Sequence, residues 1–300
     1  MIKVVKRTDL LKSVKNFSFQ KEHFLLLPGL IIMLVFTVYP IVYLVKTAAF
    51  INVDNTLKFT FIKNIVKMLN DVFFWNALKN TLVYVFLAVS SQIIIAVALA
   101  IFFQSLKGKF MNFVRAIILL PSLTPNVVVG IIWLLLYHPF GLVNFITTNL
   151  HLGQYMYLAD PKIAMYSVIL VDTWQWMPIV FLIILAGVSN LPESPFEAAK
   201  IDGASSWQIL RYITLPLLKP CILAATIFRT VDAFRAFDKL VSLTFGGPAD
   251  STTILSIHLY KVTFRHLRWG YGATVALTLI LLSLGASFIF IKLTLGRKNK

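Results

Sequence analysis

The chain has 300 residues, of which 58% are hydrophobic and only 13% charged, and its mean hydropathy is +0.82. A soluble domain carries about 25% charged residues, so a fold this apolar would leave apolar surface in water, and lipid is the better solvent. The net charge of +16 fits basic ends beside a membrane rather than nucleic acid, and a single cysteine, Cys221, excludes a disulfide framework or a CxxC metal site.

A basic tail over residues 1–22 opens the chain with Lys3, Lys6, Arg7, Lys12, Lys15 and Lys21. The apolar run at 24–45 is too long, and ends in residues too bulky, for a cleaved signal peptide; it reads as a retained transmembrane helix. The loop at 46–80 is long, and Phe61, Ile62, Ile65, Val66, Met68 and Leu69 mark an amphipathic segment at the outer interface or over the bundle. Further spans fall at 82–106, 116–137, 163–187, 221–245 and 272–293, the fifth interrupted by charges. Six spans put both ends on one side, and that side carries nearly twice as many Lys and Arg as the other, which makes it cytoplasmic. The expected fold is all-α, a polytopic membrane bundle of six transmembrane helices. It divides into the basic tail, a first helix with its outer loop (23–73), the main transmembrane domain (74–293) and a second basic tail (294–300). Trp133 and Tyr137 read as interface anchors, and Cys221 as a packed small apolar residue.

The loop between spans four and five, 194–216, carries the strongest local signals. Ser194, Pro195 and Glu197 form a capping box with proline at the first helical position, and Gly203 supplies a left-handed stop. Ser205 and Gln208 form a second capping box, and the next short helix should stop before Pro216. The product is a helical hairpin on the cytoplasmic face. Ala198 and Ala199 give its first helix a narrow face that another backbone could approach. Trp207, Leu210 and Ile213 form an apolar stripe that must be covered by the span ends, a partner or both.

Here the chain resembles a known family. Glu197-Ala198-Ala199, Gly203, Ile213, Leu215 and Pro216 fall at the spacing of the EAA loop of ABC-importer permeases. The run from Glu197 through Asp202 and Gly203 to Ala204 has the form of the maltose-permease-like branch. The runs Phe74–Leu82 and Gly141–Asn144, Leu120-Pro121, Trp133, Phe228-Arg229, Phe237-Asp238, Gly246-Gly247-Pro248 and Thr252-Thr253 also resemble that family, covering roughly 77–292. The resemblance implies the type I importer permease fold. It implies that Glu197, Ala198, Ala199, Asp202, Gly203, Leu215 and Pro216 couple the chain to an ATPase subunit. It implies two ATP-binding subunits carrying ATP and magnesium, a second and different permease, and an extracellular or periplasmic solute-binding protein, all at the cell membrane of a prokaryote. The cargo it implies is a sugar, oligosaccharide or glycerol phosphate, moved by alternating access.

Within the spans, Asp172 and Trp174-Gln175-Trp176 lie in the fourth, and Arg229, Asp232, Arg235, Asp238 and Lys239 in the fifth. Two readings stand. Asp172, Trp174, Gln175, Trp176, Arg229, Asp232 and Arg235 line a translocation path, the indole faces stacking on sugar rings and the polar groups bonding hydroxyls. Alternatively Arg229–Asp232 and Arg235–Asp238 pair with each other and only hold the bundle together. The five histidines are scattered, so no metal site is expected, and no GxxxxGK[ST] loop is present, so the chain needs a separate motor and is not itself an enzyme. The rival functions are a secondary, ion-gradient-driven transporter and an ABC permease for a non-sugar solute.

Overall fold

The computed structural model describes residues 21–53, 56–60, 62–104 and 109–295. Most of the first basic tail (1–20), the end of the second (296–300), Phe61 and Lys107 lie outside the described residues. Among the described residues, five helices are long and apolar enough to cross a membrane, and a bent helix pair makes a sixth span.

Helix α1 (Lys21–Ala48) contains Pro28 and Pro40. No part of its most apolar stretch is buried, so it lies at the rim of the bundle and presents its side chains outward. An antiparallel hairpin follows, β1 (Phe50–Val53) and β2 (Thr56–Phe59), in which Phe50 opposes Phe59 edge to face at 5.5 Å. These strands are too short to stand out of a helical reading. The amphipathic segment becomes α2 (Lys63–Leu69), but only Met68 of its predicted apolar set is buried; Ile62, Ile65, Val66 and Leu69 stay exposed. The Asn64 side-chain amide fastens α2 down, donating to the carbonyls of Ala48 (2.8 Å) and Phe50 (2.9 Å).

Helix α3 (Val72–Gln104) has 33 residues. At 1.5 Å per residue that is about 50 Å, well beyond the ~30 Å hydrocarbon layer. It packs along α7 (Ala164–Ser189), the most buried span. Lipid gives no hydrophobic drive between helices, so close packing must supply it. The fully buried Ala88, Ala96 and Ala100 of α3 let the two backbones approach.

The third span is not straight. It is α4 (Lys109–Leu123) and α5 (Asn126–Leu136), which meet at 97°. Pro125 sits at the corner, has no N–H to continue the ladder, and pushes Thr124 out of the helical region. The turn brings one face of α5 inward, so Trp133 and Tyr137 are not interface anchors. Tyr137 is buried, stacks on Tyr157 at 4.9 Å, lies beside Trp133 at 5.1 Å, and donates its hydroxyl to the Ser167 carbonyl. Helix α6 (Leu142–Asn149) leads on to α7.

After α7 come α8 (Ser194–Ile201), α9 (Ser206–Ile209), a π turn (Leu210–Thr214) and α10 (Leu215–Phe234). Cys221 on α10 packs as expected against Gly187 of α7, where a Cβ would come within 2.6 Å of its sulfur. The fifth span is also broken. Helix α10 stops at Phe234, the chain crosses non-helically, and α11 (Asp238–Leu243) restarts and packs on α5. Helix α12 (Leu255–Tyr260), a second π turn (Lys261–Arg265) and the last span, α13 (Trp269–Leu295), complete the bundle. Alternation of the spans puts α8 and α9 at one end of the molecule, and the hairpin, α2 and α12 at the other.

Candidate functional site

Both helix breaks face the same point, and charge gathers there. Asp172 of α7 accepts at Oδ1 from Lys239 Nζ (2.5 Å) and at Oδ2 from Arg229 Nη2 (3.0 Å) and Gln92 Nε2 (2.9 Å). Arg229 Nε donates to Gln92 Oε1 at 2.7 Å, and Arg229 Nη1 donates to Asp232. Lys239 also donates to Gln175 Oε1 at 2.8 Å. The Gln175 amide donates in turn to the Thr124 carbonyl and to Asn126 Oδ1, both at 3.0 Å. The network therefore joins α3, α7, α10 and α11 and takes up a carbonyl left open by the α4–α5 corner. Asp172, Arg229, Gln92, Gln175 and Lys239 are all buried. Two acids and two bases cancel, which is how charges this deep are tolerated.

A cavity of about 50 Å³ adjoins the network, lined by Tyr84, Asn126, Trp176, Asp232, Arg235 and Lys239 among others. Its size suits a few waters. The Arg229 guanidinium lies over the Trp176 ring, 5.1 Å from its centroid. Of the residues expected along a path, Asp172, Trp176, Arg229, Asp232 and Arg235 meet at this cavity. Gln175 sits behind it, and Trp174 packs edge-on against Trp133 at 5.5 Å, away from it. The pair Arg229–Asp232 forms, whereas no ion pair joins Arg235 to Asp238 among the described residues. Gln92, Tyr84 and Asn126 complete the centre and were not singled out from sequence. Gln92 carried a readable signal: it is a lone amide deep in a long apolar helix.

The segment expected to couple to an ATPase subunit forms the hairpin at one end of the bundle. Glu197 and Ala198 of α8 are exposed, while Ala199 turns into the chain and its carbonyl accepts from the Ala204 N–H at 2.9 Å. Gly203 ends α8 at φ +72°, as expected, with open space where a Cβ would stand. The Ser205–Gln208 capping box is present. Two expectations fail. Glu193, not Ser194, caps α8, because Glu193 is already helical and its carbonyl takes the Glu197 N–H at 3.1 Å; the Ser194 capping box does not form. Nor does the second helix stop before Pro216. The π turn lets the chain run on into α10, with Pro216 in the first turn, where no N–H partner is needed. The hairpin is thus an arm rigidly continuous with span five. Ile201 (86% exposed), Trp207 and Tyr212 give it an uncovered apolar surface.

At the far end, residues 245–253 are tied down by polar bonds. Lys261 Nζ donates to Asp250 Oδ1 at 2.8 Å, and Asn80 donates to the carbonyls of Asp250 and Thr253. The Lys261 hydrogen bond holds the Asp250 carboxyl below the usual carboxylate range. His258 lies beneath, 3.9 Å from Asp71, and burial pushes its imidazole below the ordinary histidine value.

Comparisons with known proteins identify the family. The sequence pattern of the binding-protein-dependent transport system inner membrane component matches residues 92–300. The chain is 34% identical to a lactose transport system permease protein from Rhizobium radiobacter, over 87% of this chain and 90% of that one. It is 32% identical to a trehalose/maltose transport system permease protein from Thermococcus litoralis, over 96% and 98%. Its fold superimposes with a TM-score of 0.81 on a chain of a bacterial ABC transporter that imports alginate, at 22% identity, covering 97% of this chain and 99% of that one. The chain belongs to the binding-protein-dependent transport system inner membrane component family, as a multi-pass permease subunit and not an enzyme.

Proposed function

We propose that this permease forms half of the carbohydrate path of an ATP-driven importer, with both termini cytoplasmic. One of two ATP-binding subunits docks on α8, a second permease completes the path, and a solute-binding protein delivers cargo at the end that carries residues 245–268. The observation that supports this best is the arm: an exposed Glu197-Ala198 edge and uncovered Ile201 and Trp207, on a segment running without a stop into the broken span that holds Arg229. Closure of the ATPase pair would push α8, and the push would reach the charged centre through α10. Carbohydrate as cargo rests on the lactose and trehalose/maltose permeases the chain is similar to.

Two variants test the docking. Glu197→Lys and Gly203→Asp should reduce the ATPase subunit that co-purifies with the complex and uncouple ATP hydrolysis from uptake. If both assembly and coupling survive, α8 is not the docking site. Uptake into vesicles driven by a proton or sodium gradient without ATP would favour a secondary transporter instead. Binding of candidate sugars to the cognate solute-binding protein identifies the cargo.

A further inference from the structure

A second polar site lies at the end of the bundle away from the arm, and it shares only the last residues of the 245–268 loop with the face assigned above. It is a cleft of about 760 Å³ between the end of α1, helix α2 and the start of α13. Lys46, Lys67 and Arg268 reach it from these three separate elements, framed by Tyr43 and Trp269. We propose that this cleft binds the phosphate headgroup of an anionic membrane phospholipid.

Four observations carry this. First, the three cations converge from segments far apart in sequence, and no ion pair engages any of them among the described residues. The nearby Asp71 is turned to the Tyr271 hydroxyl (2.5 Å) and does not line the cleft. Second, the cleft is built rather than loose. Asn64 pins α2 to the carbonyls of Ala48 and Phe50, and a Cβ on Gly270 would collide with the Phe50 carbonyl oxygen, so α13 starts hard against the hairpin. Third, the N-terminal turn of the 27-residue α13 forms part of the wall and adds its positive dipole end. Fourth, the site lies at the level where α1 ends and α13 begins, the depth of lipid headgroups. Tyr43 and Trp269, 59% and 52% exposed, stand there as amphipathic rings do at a membrane interface. The uncovered apolar side of α1 leads away from the cleft along the bilayer and offers a track for acyl chains.

Size separates a lipid from a free ion. A cleft of this volume is far larger than inorganic phosphate and falls in the range that holds a headgroup with its glycerol backbone. A basic residue at a membrane surface contributes about fivefold in affinity for anionic lipid, so three should contribute on the order of 100-fold.

The test is native mass spectrometry of the purified importer complex, titrated with phosphatidylglycerol, phosphatidylcholine or inorganic phosphate. Phosphatidylglycerol should be retained in preference to phosphatidylcholine. Its affinity should fall about fivefold in Lys67→Gln and on the order of 100-fold in the triple variant Lys46→Gln, Lys67→Gln, Arg268→Gln. Lys63→Gln, a neighbour on α2 that does not line the cleft, should change nothing. The single Lys67 variant decides the matter if the triple variant does not assemble. The proposal is overturned if Lys67→Gln and the triple variant keep parental affinity, if Lys63→Gln loses as much as Lys67→Gln, or if inorganic phosphate displaces the lipid at equal concentration.

Discussion

Asp172 is the residue on which the centre of the molecule depends, because one carboxylate there answers two buried cations. Replacing it with Asn keeps the shape but leaves Lys239 without a counter-charge and Arg229 with Asp232 alone. Breaking a buried ion pair from one side costs about 3–5 kcal/mol, so Asp172→Asn should markedly lower the melting temperature of the purified complex. Adding Lys239→Met removes the orphaned cation and should recover part of the loss. Equal melting of the parent and the Asn variant would show that the network does not hold the bundle. His258 makes a second, pH-dependent claim. Burial holds its imidazole below the ordinary value and outweighs the pull of Asp71, so the unfolded chain takes up a proton that the folded chain refuses. This contribution to stability is full above the ordinary histidine pKa of ~6.5 and declines as the pH falls below it, until the folded imidazole itself titrates. The melting temperature should therefore drop between about pH 7.5 and about pH 5.5, and drop less in His258→Gln.

At the scale of elements, the arm shows which signals survive from sequence to structure. Gly203 and the Ser205–Gln208 box were legible because each acts within three or four residues. Ser194 misled because helix register is settled by the preceding residue, and Pro216 misled because a π turn absorbs it. The breaks in spans three and five were hidden for a different reason. Hydropathy adds up along a span whether or not the backbone bends, and the groups that stabilise the bends come from elsewhere: Gln175 takes the open Thr124 carbonyl, and Asp172 holds Lys239. The four-residue α9 has little stability of its own, so its cap matters. Ser205→Ala should cost about 1 kcal/mol locally. That should appear as about fivefold faster hydrogen exchange at the amides of Trp207–Leu210, with exchange in the lower part of α10 unchanged. Unchanged exchange at Trp207–Leu210 would mean that contacts with the spans, and not the capping box, hold α9.

For the molecule as a whole, six spans were countable from composition alone, yet the charged centre was not. The i,i+3 spacing revealed Arg229–Asp232, while the partners of Asp172 lie 57 and 67 positions away and meet it only once α7, α10 and α11 are packed. The same packing separates the two ends of the bundle. The arm and the loop at 245–268 stand at opposite ends because one crossing, the broken span of α10 and α11, lies between them. The proposed coupling requires that these ends face opposite compartments, and a pair of matched substitutions checks it. Lys162 lies on the loop that enters α7 and Lys200 on α8; both are exposed, and neither forms an ion pair among the described residues. The native Cys221 is partly buried against Gly187 inside a span, so the parent should give little background with a membrane-impermeant maleimide, which reacts with the thiolate in water. In spheroplasts, Lys162→Cys should label at once and Lys200→Cys only after permeabilisation. The opposite pattern would place the arm outside the cell, where no ATP-driven subunit could push on it, and the proposed mechanism would fail with it.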